Sequence, residues 1–185
     1  SDNTSSPCLE HTNTLGAFRL RAVCQNYGIL FVDDERSALD SVGAALAKIF
    51  KNVFLASSPK EALEIFETNK ELIHIVMSDI VFDGSTDSGL DLVRQMREKD
   101  ESKKFIIASG YDSNEYLSNA IRLGVTSFLL KPMSQNDLFA SLGQAASSVA
   151  KDMLIKEQIE SLRAAKEQLQ NMVEKQDRFI KDAIH

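Results

Sequence analysis

Residues 28–35 read Gly28-Ile29-Leu30-Phe31-Val32-Asp33-Asp34-Glu35, an uninterrupted apolar run that passes straight into three carboxylates. An apolar run without alternation has the pattern of a strand buried on both faces, the kind that forms parallel sheets. Four further runs repeat it: Val53-Phe-Leu-Ala-Ser57, Ile73-His-Ile-Val-Met77, Phe105-Ile-Ile-Ala108 and Ser127-Phe-Leu-Leu130. The segments between them carry helix signals. Ser58-Pro59-Lys60-Glu61 combines an N-cap, a proline at the first helical position and a glutamate three residues after the cap, and Ala62, Leu63 and Phe66 follow on one face. Asp112 with Glu115, and Ser134 with Asp137, are weaker starts of the same kind, and Gly124 closes a helix whose apolar face takes in Leu117, Ala120, Ile121 and Leu123. Strand and helix alternating five times predict an α/β domain over residues 28–150, a doubly wound (βα)5 parallel sheet.

The flanks differ from this body. Residues 1–27 form an N-terminal leader, polar and expected to be mobile through Thr14, with Leu15, Phe18, Ala22 and Val23 able to make a short amphipathic element. After Gly143 the chain has neither glycine nor proline to its last residue, His185, so a long helix is allowed there. Charge divides at a similar point. Residues 1–150 carry 14 Lys and Arg against 20 Asp and Glu, whereas 151–185 carry 7 of each, so the whole net charge of −6 belongs to the first part. An acidic body without a basic cluster argues against nucleic acid as a direct partner. No run approaches the ~18 apolar residues of a membrane span. Cys8 and Cys24 form no metal-spaced or redox pair, and no secretory pattern opens the chain, which together imply a reduced, cytoplasmic protein.

In open α/β sheets ligands bind beyond the carboxyl ends of the strands. The first strand ends in Asp33-Asp34, the third in Asp79, the fourth in Ser109 and the fifth in Lys131-Pro132. Three carboxylates, a hydroxyl and an ammonium therefore meet on one edge. Two like charges 4 Å apart repel by about 4 kcal/mol at an effective dielectric of 20, so the cluster calls for a cation or a proton. Hard oxygen donors favour Mg2+, which pairs naturally with phosphate. A lysine and a serine beside it suit phosphoryl oxygens. The chemistry implied is phosphoryl transfer onto a carboxylate.

These motifs resemble the response-regulator receiver domain, with its flavodoxin-like fold. The likeness covers Gly28 to Ala150: Phe31-Val-Asp-Asp-Glu35, Ser78-Asp79, Ala108-Ser109-Gly110 and Phe128-Leu-Leu-Lys-Pro132, in order and at the right intervals. The resemblance implies that Asp79 accepts a phosphoryl group from the phosphohistidine of a histidine kinase or phosphotransfer protein, and that Asp33, Asp34, Asp79 and the Val81 carbonyl bind Mg2+. It also implies that Ser109 and Lys131 contact the phosphoryl oxygens, that the Lys131-Pro132 bond is cis, and that Ser109 and Phe128 move together as a switch. Two departures stand out. Phenylalanine replaces the more common tyrosine at 128, and Asp83 replaces the proline usual four positions after the acceptor. Gly89 also lies ten positions after Asp79 instead of eight, as if two residues had been inserted into a more mobile, more acidic loop.

Blander readings exist for each residue. Asp33, Asp34 and Glu35 could complement a helix dipole, and Asp79 could be a turn residue. A pseudo-receiver could keep the residues and only dock. Haloacid-dehalogenase-type phosphatases also use an aspartyl phosphate, but with an Asp-x-Asp motif that adjacent aspartates do not match. His74, inside a strand run, reads as structural, and His11 carries no signal.

Beyond residue 150 a heptad repeat places Ile155, Leu162, Leu169, Gln176 and Ala183 at d, with Ile159, Lys166, Val173 and Ile180 at a. The expectation is a parallel homodimer through residues 151–185; a solvated single helix and an antiparallel pair are the alternatives. Met172 and Phe179 at g and Ile184 at e widen the stripe, as where a two-stranded coil enters a four-helix bundle. Arg178 to His185 resembles the start of the phosphorylated helix of histidine kinases, which would make His185, at f, a second phosphoacceptor. On this reading the chain is a receiver and signalling helix cut from a hybrid sensor histidine kinase. It lacks an ATP-binding domain, and it only accepts and hydrolyses a phosphoryl group. A stand-alone regulator or a docking module is the other reading.

Overall fold

The computed structural model describes residues 7–84, 88–110 and 114–184, with side chains from residue 16 onward except 114 and 115. Two compact units make up the chain, Ser1–Val149 and Ala150–His185. In the first, five strands form one parallel sheet: β1 (Gly28–Val32), β2 (Asn52–Ala56), β3 (Ile75–Asp79), β4 (Lys104–Ser109) and β5 (Ser127–Leu130), in the order β2-β1-β3-β4-β5. This is the flavodoxin-like arrangement expected. Strand order reverses beside β1, where connections leave in opposite directions and open a crevice at the carboxyl edge.

Period-two alternation along the strands divides the core into two layers. Ile29, Phe31, Ile75, Met77, Ile106, Ala108 and Leu129 face one side, with Leu39 and Leu46 of α2 (Arg36–Ala47) and Leu138, Leu142 and Ala145 of α6 (Gln135–Ile184). Leu30, Val32, Val76, Phe105 and Ile107 face the other, against α3 (Pro59–Asn69), α4 (Gly89–Lys99) and α5 (Asn114–Arg122). Burying each large side chain contributes roughly 1.5–3 kcal/mol.

Local signals behave as their chemistry requires. The Ser58 Oγ accepts from the Glu61 N–H (3.2 Å), with Pro59 opening α3, and the Ser134 Oγ accepts from the Asp137 N–H (3.1 Å) ahead of α6. Gly124 follows α5 with φ 70°, the left-handed turn that glycine adopts without a Cβ penalty. Asp112 lies outside the described residues, as does the Glu115 side chain. The apolar face of α5 differs from expectation. Ala120 is buried and Tyr116 and Leu123 pack against the core, while Ile121 is 69% exposed and Leu117 also faces solvent. One residue along a helix turns the side chain by about 100°, and the core lies on the side of the first set.

The leader joins the fold as a helix, α1 (Pro7–Cys24), which begins well before the short element expected from Leu15. Leu20 and Cys24 enter the first core layer, and Leu20 lies against Gly143 of α6. Burial drives the Cys24 thiol pKa up to about 12. In a Cys8→Ser chain, Cys24 should therefore react with a thiol reagent at pH 8 only as fast as the protein opens, and at least about a hundredfold faster in denaturant; equal rates would contradict the packing.

His74 sits just ahead of β3, where its Nδ1 accepts a hydrogen bond from the Gly28 N–H (3.0 Å), and the ring lies 5.1 Å from that of Tyr27. Burial, then the charge of Lys103, hold its pKa below the ordinary histidine value. A base with a depressed folded pKa adds stability above its unfolded value, near 6.5, and loses it as pH falls through the folded value. Urea stability should accordingly drop below pH 6.5, with a smaller drop in His74→Asn.

α6 runs unbroken from Gln135 to Ile184, and its first turns bury Leu138, Leu142, Ala145, Ala146 and Val149. In the second unit every described residue is exposed, including Ile155, Ile159, Leu162, Leu169, Val173 and Ile180. His185 lies outside the described residues. No helix among the described residues is long and apolar enough to cross a membrane.

Candidate functional site

The site is assembled where β1, β3, β4 and β5 end together. Asp33 and Asp34 follow β1, and Asp79 is the last residue of β3. Their carboxylate oxygens lie within 4.8 Å of one another. Ladder register explains the convergence: Val32 pairs with Ser78, Asp79 with Ala108, and Ser109 with Leu130, so all four strands terminate at one level. The Lys131 N–H donates to the Ser109 carbonyl (2.7 Å), which extends β5 by one bond, and the Lys131-Pro132 peptide is cis.

Each carboxylate is held by a main-chain donor. The Glu35 N–H donates to Asp33 Oδ1 (2.9 Å), the Ile80 N–H to Asp79 Oδ1 (2.8 Å) and the Asp83 N–H to Asp34 Oδ2 (2.7 Å). The Lys131 ammonium reaches the second oxygen of two of them, Asp33 Oδ2 (2.7 Å) and Asp79 Oδ2 (3.0 Å). Asp33 is almost wholly buried, at 1% exposure. Burial lifts the Asp79 carboxyl above its ordinary pKa; the bond and charge of Lys131 pull it back, and the neighbouring Asp33 charge lifts it further. For Lys131 burial opposes the charged form, but the bonds to Asp33 and Asp79 outweigh it and hold the ammonium pKa above the usual lysine value.

Three carboxylates against one ammonium leave a negative excess, and Asp34 makes no ion pair with Lys131. A compact set of oxygen donors with net negative charge fits Mg2+. Ser109 is buried on the same edge, Phe128 is partly buried against the second core layer, and Val81 is 57% exposed two residues beyond Asp79. All the strand-end residues singled out in the sequence are thus brought to one edge.

Two residues noted in the sequence only as departures contribute here through their main chain. One is Asp83, whose N–H was signalled by the absence of proline at that position. The other is Gly89, which opens α4 under the Ser88–Asp91 capping box and donates its N–H to the Ile80 carbonyl (2.6 Å). A Cβ there would stand 1.9 Å from the Asp79 carbonyl oxygen.

Residues 29–143 match the response regulator receiver domain family. Over 139 residues the chain is 28% identical to the uncharacterized transcriptional regulatory protein YesN of Bacillus subtilis, covering 74% of this chain and 37% of YesN. It is 29% identical over 116 residues to the acid tolerance regulatory protein ActR of Rhizobium meliloti, covering 63% of this chain and 58% of ActR. Both relatives are therefore substantially longer than the part they share with it. A crystal structure of a response regulator receiver domain protein from Clostridium thermocellum superposes with a TM-score of 0.61 at 29% identity, covering 69% of this chain and 98% of that one.

Proposed function

Because the chain belongs to the response regulator receiver domain family, we propose that it accepts a phosphoryl group on Asp79 from a phosphohistidine donor and relays that state through its C-terminal helix. The observation that carries this reading is the meeting of Asp33, Asp34 and Asp79 around a lysine that bonds two of them. A carboxylate oxygen of Asp79 attacks phosphorus. A P–O bond forms as the P–N bond to imidazole breaks, and the imidazole departs with the electron pair. Asp33, Asp34 and Asp79, with the Val81 carbonyl, would hold Mg2+, which supplies positive charge against the phosphoryl oxygens. Lys131 is close enough to Asp79 to transfer its hydrogen bond to one such oxygen, and the Ser109 hydroxyl serves another. Drawing in that hydroxyl leaves room for the Phe128 ring to turn inward, which alters the face around β5. Water later hydrolyses the acyl phosphate and restores Asp79.

For output, the exposed stripe from Ile155 to Ile180 supports a parallel homodimer through residues 151–185. A hybrid histidine kinase with His185 as a second acceptor is one context, and a cytoplasmic location accords with it. A stand-alone regulator is the other, favoured by relatives named as a transcriptional regulatory protein and an acid tolerance regulatory protein.

Incubation with acetyl phosphate and Mg2+ should yield a base-labile acyl phosphate on the protein, and light scattering should report twice the monomer mass. Failure to form the adduct, together with failure to bind beryllofluoride, would sink the phosphoacceptor reading. A monomer at high micromolar concentration would sink the dimer.

A further inference from the structure

The three carboxylates of the site are not equally supported. Asp33 and Asp79 are each fastened twice, by a main-chain N–H and by the Lys131 ammonium. Asp34 has no bond to that ammonium, and the Asp83 N–H on its Oδ2, at 2.7 Å, comes from a residue 49 positions away in the loop after β3. At this position, four residues after the acceptor, receivers usually carry proline, which has no N–H to give.

We propose that the main-chain N–H of Asp83 is a positioning group for Asp34: it orients this carboxylate for the divalent cation and ties the loop after Asp79 to the metal site, a bond the usual proline could not make. The proposal rests on the Mg2+-dependent reading given above.

The surroundings of Asp83 make the donor dependable. Phe82, the preceding residue, is 4% exposed and packs into the second core layer with Ala62 and Phe66 of α3, so the chain entering Asp83 is anchored. The base of the loop is closed by the Gly89 N–H on the Ile80 carbonyl (2.6 Å). Between these two points the N–H meets a carboxylate that otherwise rotates about two side-chain torsions. A hydrogen bond to an anion is among the stronger ones in proteins, and it leaves Asp34 Oδ1 for the cation. Donors in this outer position typically change metal affinity 10- to 100-fold.

The bond also makes the loop and the cation mutually dependent. Whatever orders Asp34 orders the main chain at Asp83 through the same contact, and a coupling of this kind acts equally in both directions. The substitution that removes the family's proline therefore replaces a rigid ring with a tether to the site.

Two measurements on the full chain test this. In a Mg2+ titration followed by amide chemical shifts, Asp83→Pro, which deletes the donor, should bind roughly tenfold more weakly than the parent. Asp83→Ala, which keeps it, should stay within about threefold, the difference covering the lost charge. Equal affinity of Asp83→Pro and the parent, or equal weakening in both variants, would overturn the proposal. Should the parent itself fail to bind Mg2+, the functional reading falls instead. The second measurement needs no metal and no proline. Hydrogen exchange at the Asp83 amide should speed up about tenfold or more in Asp34→Ala; an unchanged rate would show that the bond does not exist in solution.

Discussion

Asp79→Asn should abolish formation of the proposed acyl phosphate while making the metal-free protein more stable. The first effect follows from chemistry, since an amide oxygen is a far poorer nucleophile than a carboxylate and offers the cation no charge. Phosphorylation by acetyl phosphate should fall below detection, and beryllofluoride binding should vanish with it. The second effect follows from the balance of forces at the site. Asp79 is partly buried among carboxylates, and its pKa is raised chiefly by that burial. An acid whose folded pKa is raised supports folding fully only below its unfolded value, near 4, and loses that support as pH rises through the folded value. At pH 7 the ionised side chain is therefore a burden. Asparagine removes it and leaves the Lys131 bond to Asp33 in place. We expect a gain of about 1–2 kcal/mol in urea unfolding at pH 7, from the burial of a charge avoided less the bond to Lys131, and a smaller gain at pH 4. A loss of stability at pH 7 would mean that Lys131 dominates the site electrostatically. A variant that is more stable yet inactive is the mark of a residue kept for chemistry.

Gly89→Ala should damage stability and chemistry together. The added Cβ would stand 1.9 Å from the Asp79 carbonyl oxygen and 2.9 Å from its carbonyl carbon. Both are main-chain atoms, so no side chain can swing aside. Either the start of α4 retreats, losing the 2.6 Å bond from the Gly89 N–H to Ile80, or the end of β3 shifts and carries Asp79 with it. Overpacking costs about 1–3 kcal/mol, and a lost buried hydrogen bond adds ~1 kcal/mol. We expect a total near 3 kcal/mol. A displacement of about 1 Å at a reacting group commonly slows a reaction ~100-fold, and the acetyl phosphate reaction should slow by that order even at a temperature where the variant is folded. Gly110→Ala makes a useful control, because a Cβ at that position meets nothing within 4 Å; its stability should change by less than about 0.5 kcal/mol. Similar behaviour of the two variants would show that the main chain around Asp79 is soft.

The repeated apolar runs made the sheet readable, because a strand buried on both faces can contain little else. Caps such as Ser58 and Ser134 could be read because each bond they make reaches only three residues ahead. Strand ends were less sharp. β3 begins at Ile75, although Ile73 is just as buried, because pairing with β1 starts at Ile29 and is set by the neighbouring strand. Helix α5 shows a different shortfall. Leu117 and Ile121 are as apolar as Leu123, and only the position of the sheet decides which of them is covered.

At the site, the residue types and their order along the chain were determined by the sequence alone: carboxylates after the first and third apolar runs, serine after the fourth and lysine after the fifth. The long breaker-free stretch determined the C-terminal helix in the same way, since helix formation depends on neighbours within one or two turns. Only the tertiary structure decided which groups touch. Lys131 and Asp33, 98 residues apart, share a 2.7 Å bond; the Asp83 N–H reaches Asp34 and leaves Lys131 to the other two aspartates; and the Gly89 main chain lies against Asp79. Such contacts depend on how strands of unequal length end at one level and on where a loop returns. Those positions are fixed by the packing of the whole sheet, and no local stretch of sequence encodes them.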